Sequence, residues 1–170
     1  MVKGLKQTSS TVAIGFSVTE TAANTFTQGE IDLNLDPLNN EVFVVLAINM
    51  DGSSPDAVTG TNTAVNASLT TTSQTSTVDL DDSNCLARRV QRIRAAGFGD
   101  GGVGFQEQAL ETPPSNLDYI GIIATNNFFV QVAGTGNIGT KTISGKMYGY
   151  RARADASIYA ALVQSEVLSA

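Results

Sequence analysis

Hydrophobic positions along this chain recur mostly at the two-residue period of β-strands, and only 83–94 and the last segment offer a helical period. In 11–18 Val12, Ile14, Phe16 and Val18 alternate with Thr11, Ala13, Gly15 and Ser17, which predicts a half-buried strand. In 30–36 Ile31, Leu33 and Leu35 alternate with Glu30, Asp32, Asn34 and Asp36, and Pro37 ends the run in a turn over 36–40. Two stretches break the alternation. EVFVVLAINM at 41–50 is rich in β-branched residues and apolar on both faces, which predicts a strand paired with its predecessor. DYIGIIATNNFFVQVAGTG at 118–136 has two apolar runs around Asn126 and Asn127, which tolerate the positive φ of a type I′ turn, so it predicts a β-hairpin. In that register Ile123 faces Val130, Ile122 faces Gln131, and both faces of the ribbon are largely apolar. Such a ribbon needs two covers: its own core, and either a second layer or a neighbouring subunit. Ile120, Ile122, Ile123, Phe128, Phe129, Val130 and Val132 are therefore the candidate core and assembly residues.

The remaining segments fill in the same picture. Residues 59–77 are almost wholly Thr, Ser, Asn and Ala, with Val65, Ala67 and Leu69 the only apolar alternation, which predicts an exposed edge strand and a long loop. Residues 83–94 fit either a helix, with Leu86, Val90 and Ile93 at helical spacing behind Ser83, or a strand; the strand agrees with its neighbours. GFGDGGVG at 97–104 and the Pro-rich 112–115 read as connections. Residues 143–153 predict a strand with Tyr148 and Tyr150 on one face and Met147 on the other. Residues 155–168 fit a helix capped by Asp155 or Ser157, with a terminal strand as the alternative. The expected architecture is an all-β, two-sheet antiparallel β-sandwich over 11–170, with a short C-terminal helix and a basic N-terminal arm at 1–10.

Composition supports this without adding a reaction. Charged residues are 15% of the chain, so the polar share falls to Thr, Ser, Asn, Gln and Gly, as suits many short strands and turns. No stretch approaches the roughly 20 apolar residues needed to span a bilayer, and 1–16 has no continuous apolar segment of the secretory kind. Cys85, alone in the chain, reads as a small packing residue. The net charge of −6 is unevenly spread: 1–87 carry two lysines against ten carboxylates, a net −8, and 88–170 carry a net +2. Lys3 and Lys6, then Arg88, Arg89, Arg92 and Arg94, then Arg151 and Arg153, are the candidate contacts to nucleic acid or to sister subunits. The competing reading pairs them with Asp79, Asp81 and Asp82 or leaves them solvated.

With no His and one Cys, the commonest general base and the commonest zinc-binding sets are absent from the sequence. Asp79-x-Asp81-x-Ser83 resembles the start of a calcium loop, but Asn84 and Val90 stand where the turning Gly and bidentate Glu belong. The Gly-rich 97–104 lacks the strand-turn-helix context and the closing Lys-Ser/Thr of a phosphate loop. No catalytic residue, metal or cofactor is expected, and the chain is read as a non-enzyme.

Three stretches, EIDLNLDPLNNEVFVVLAINMDGSSPD at 30–56, DYIGIIATNNFFVQVAGTG at 118–136 and KMYGYRARADASIYAALVQSE at 146–166, together resemble small virion coat proteins of the single jelly-roll kind. The resemblance covers under half of the chain. It implies a sandwich of eight principal strands that self-associates into a symmetric capsid or shell, made in the host cytoplasm and located in the virion. Its implied partners are further copies of itself, other virion proteins and genomic nucleic acid. The Thr/Ser-rich loops would then face outward and the basic residues the genome or a neighbour. A β-sandwich module for glycan binding or fibre-type adhesion is the alternative.

Overall fold

The β-branched run that is apolar on both faces becomes β4 (Glu41–Gly52), and its two faces bury against different layers. Phe43 and Val45 point between the two sheets of a sandwich; Val42 and Val44 point the opposite way, beneath a helix. The computed structural model describes residues 3–95, the strand at 103–110 and residues 117–170. Within them one sheet contains β1 (Leu5–Gln7) and β2 (Val12–Thr19), both paired to the same side of β10 (Thr142–Ala154), then β4, then β8 (Gly121–Ile123). The second runs β3 (Thr27–Asp32), β9 (Asn127–Thr135), β5 (Thr63–Thr70), β6 (Cys85–Ala95), β7 (Val103–Leu110). All pairings are antiparallel.

The orders β2-β10-β4-β8 and β3-β9-β5-β6, with most connections crossing from sheet to sheet, are those of a jelly roll to which β7 adds one further strand. Phe16, Leu33, Phe43, Leu69, Ile123, Phe128 and Met147 fill the space between the sheets, and the Phe16 and Phe128 rings meet edge to face at 6.1 Å. The ambiguous 83–94 is the strand β6, and the C-terminal segment is the helix α1 (Ala156–Leu168). Through Ile158, Tyr159, Leu162 and Val163, α1 covers Leu5, Val42, Val44, Ala152 and Ala154 on the outer face of the first sheet. No helix among the described residues is long and apolar enough to cross a membrane.

Several expectations are corrected. The 118–136 stretch is not a hairpin: β8 pairs with β4 in one sheet, and β9 pairs with β3 and β5 in the other. The chain crosses between them at Ala124, Thr125 and Asn126, and neither Asn126 nor Asn127 has positive φ. β4 does not pair with its predecessor, because β3 also lies in the opposite sheet. β5 is a central strand and not an exposed edge. Its Val65, Ala67 and Leu69 enter the core while Ser68 and Thr70 satisfy their hydroxyls in hydrogen bonds, so the polar composition did not prevent burial. The N-terminal arm is partly structural, since Leu5–Gln7 pairs with Gln7↔Ala152 to Leu5↔Ala154 of β10. The turn at 36–40 forms as expected, with Asp36 accepting from Leu38 N and Asn40 in the left-handed region at φ 51°. The 97–102 part of the Gly-rich connection and the 112–115 loop lie outside the described residues.

Candidate functional site

The seven apolar candidates are chiefly interior residues of one copy. Ile123, Phe128, Val130 and Val132 are completely buried between the sheets, and Ile120 packs on the same core while its N–H donates to Val45 O. Ile122 faces the other way, under α1, and Phe129 is half-buried on the outer face of the second sheet. For β8 the two covers are thus supplied inside the chain, by the inter-sheet core and by α1. On the second sheet the outer face is polar beneath the 71–84 segment: Gln131 is fully buried, its amide donating to Gln28 Oε1 and Thr70 Oγ1 while it accepts from Ser68 Oγ.

The basic candidates separate by strand alternation. Arg88 and Arg92 share the outer face of the second sheet with exposed Arg94; Arg88 is paired to Asp79 at 2.8 Å. Arg89 points the other way, opposite Ala67 and into the sandwich, with Asp51 at 3.6 Å, so the run of four does not form one patch. Arg92 and Arg94 with Asn62 and Asn66 line an open depression of about 270 Å³. On the first sheet Lys6 is the direct neighbour of Arg153, and both are exposed, as is Lys3. Arg151 is committed internally: its guanidinium donates to Leu33 O at 2.6 Å, Asn34 O at 2.9 Å and Glu41 Oε2 at 3.0 Å. It ties the chain leaving β3 to the start of β4.

The carboxylates that sequence patterning passed over organise the ends of the sandwich. Glu20 is buried, accepting from Gly134 N at 2.6 Å and Lys141 N at 2.8 Å. Asp56 accepts from Ile138 N, Gly139 N and the buried Lys141 ammonium at 2.7 Å, and these bonds, the lysine's foremost, lower its pKa to about 2. At the other end Glu166 of α1 is buried and accepts from Ala124 N at 2.8 Å and Thr125 N at 3.0 Å; desolvation raises its pKa above the ordinary carboxylate value. Peptide N–H groups that leave a ladder to cross between sheets need new acceptors, and these side chains supply them. Little in a single sequence marks them, because an acidic residue in a strand-to-loop junction usually faces water.

Among the described residues, no group of three or more His, Cys, Asp or Glu side chains could hold a metal ion. The acidic turn has its own backbone bonds, Asp82 N to Asp79 O and Cys85 N to Asp82 O. Cys85 is half-buried, its thiol donating to Ala87 O. A depression of about 400 Å³ lies on the part of the first sheet that is lined by Gly15, Asn49, Asp51, Lys146 and Tyr148. Tyr150 shares the outer face with Tyr148, as expected, and is packed beneath α1. No family model matches the chain, and neither a curated protein nor a solved structure is significantly similar to it.

Proposed function

We propose that this protein is a structural subunit that assembles with copies of itself into a virion shell, as coat or decoration protein. The jelly-roll strand order supports the reading, as does a loop end braced by the Glu20, Asp56 and Lys141 bonds, which suits a rigid building block. The observation that carries it is the outer face of α1. That face exposes Ser157, Ala160, Ala161, Gln164, Ser165, Val167 and Leu168, and the one charged residue within the helix, Glu166, is turned inward and buried. An uncharged face that ends in two large exposed apolar side chains, Val167 and Leu168, is suited to cover by a neighbour. Exposed Lys3, Lys6 and Arg153 on one sheet, and Arg94 with Arg92 on the other, are then the contacts for nucleic acid or for an acidic surface of the next subunit.

Light scattering and electron microscopy of the purified protein test this. The expected result is closed particles and a mass far above 17.7 kDa, with Val167→Glu/Leu168→Glu reducing particle yield at least tenfold while the monomer's unfolding midpoint is kept. A strict monomer across a wide concentration range overturns it. The depression beside Tyr148 favours the second reading, a glycan-binding module. A monomer that binds a glycan saturably, and loses binding in Tyr148→Ala, would replace the shell.

A further inference from the structure

The sheet edges of this molecule are guarded unequally. β1 carries Lys6, β3 carries Glu30 and Asp32, β7 carries Glu107, and β8 spans only Gly121–Ile123. β2 is eight residues long, VAIGFSVT, with neither charge nor proline, and among the described residues it bonds to β10 on one side only. Long uncharged edges are templates for another strand, and natural sheets normally blunt them. The free side of β2 can be identified. Glu20 N donates to Lys141 O, and ladder alternation then turns the N–H and C=O of Val12, Ile14, Phe16 and Val18 toward β10 and those of Ala13, Gly15 and Ser17 outward.

The sequence of this edge is nearly self-complementary about Gly15. Laid antiparallel against a second copy with Gly15 opposite Gly15, Thr11 meets Thr19, Val12 meets Val18, Ala13 meets Ser17 and Ile14 meets Phe16. Gly15 bonds outward, so this centre falls on a hydrogen-bonded pair. The apolar pairs then occupy the non-hydrogen-bonded positions, where side chains approach most closely. Val12, 41% exposed in the single chain, gains a cover in the partner's Val18. Sliding the centre by one residue sets Ser10 opposite Val18, or Glu20 opposite Val12, so the pattern selects one register. α1 does not stand in the way, because it covers Leu5 and the β10 residues beside β1, not β2.

We propose that two copies of this chain join edge to edge through β2, antiparallel about a two-fold axis at Gly15, so that the first sheet continues across the pair. This contact deepens the subunit reading by naming one of its interfaces. Its test uses Ala13 and Ser17, whose exposed side chains face one another across the proposed axis. Sedimentation equilibrium should show the wild type associating in steps of two. Ala13→Lys/Ser17→Lys, which sets lysine against lysine, should weaken that association at least tenfold with an unchanged circular dichroism spectrum. Ala13→Lys/Ser17→Glu should restore it, and so should an equimolar mixture of the double lysine variant with Ala13→Glu/Ser17→Glu. Association unaffected by the lysine pair, or not rescued by the opposite charges, overturns the edge contact; if particles still form, the shell reading survives it. A charge-sensitive dimer that never grows larger supports the edge contact and overturns the shell.

Discussion

At the scale of single residues, the acidity of the chain is put to structural use. Glu20, Asp56 and Glu166 each accept from two peptide N–H groups where the chain changes sheet, and Arg151 does the converse for the carbonyls of Leu33 and Asn34. These side chains replace ladder bonds that a crossing strand cannot keep, and a buried N–H left without an acceptor costs about 1–3 kcal/mol. Glu20→Ala would strand Gly134 N and Lys141 N together. It should lower the stability measured by urea unfolding by about 2–4 kcal/mol. Glu20→Gln, which keeps one acceptor oxygen, should lose roughly half as much. A Glu20→Ala variant as stable as wild type would show that water satisfies both groups.

At the scale of elements, strand identity was readable and strand partnership was not. Alternation in 11–18 and apolar runs in 41–50, 120–124 and 128–132 all mark strands because side-chain direction is a local property of extended backbone. Which sheet a strand joins depends on contacts distant in sequence, and so Ile123 and Val130, only seven residues apart, could be read as hairpin partners although they belong to opposite sheets. The demand for two covers was readable too, but that one of them would be α1 was not: the segment reads as a helix, with a terminal strand as the alternative, and nothing local says which sheet face it lies on. The run of four arginines is divided for a related reason: alternation in β6 sends Arg89 inward and Arg88 outward, where Arg88 pairs with Asp79 as the competing reading expects. Glu166 anchors α1 over the crossing from β8 to β9, so Glu166→Ala should free the helix before it unfolds the sandwich. Amide hydrogen exchange at Ala124 and Thr125 and proteolysis within α1 should both accelerate at least tenfold, while exchange in β5 stays near its original rate. Uniform acceleration across the molecule would show that helix and sandwich unfold as one unit.

At the scale of the whole molecule, two carboxylates give stability opposite dependences on pH. The pKa of Asp56 falls from 3.8 to about 2 on folding. Its folded form therefore holds fewer protons than the unfolded chain between those values, and the stabilisation it gives is complete above 3.8 and lost as pH falls through 2. Asp36, lowered mainly by its bond from Asn39, acts in the same sense. Glu166 runs the other way: burial raises its pKa above 4.5, so the folded state holds the extra proton and stability declines as pH rises from 4.5 through the folded value. For these three groups together the stabilisation is greatest in the mildly acidic range, above the pH at which the Asp56 and Asp36 contributions are lost and below that at which Glu166 ionises. Urea midpoints taken from pH 2 to 8 should trace that maximum. Asp56→Asn should flatten the acid limb and leave the other, whereas Glu166→Gln should remove the decline above 4.5 and leave the acid limb. If the Asp56→Asn profile still rises as steeply between pH 2 and 4, the ammonium of Lys141 is not what holds that carboxylate ionised. If Glu166→Gln keeps the decline above 4.5, burial of this side chain under α1 is not what causes that decline.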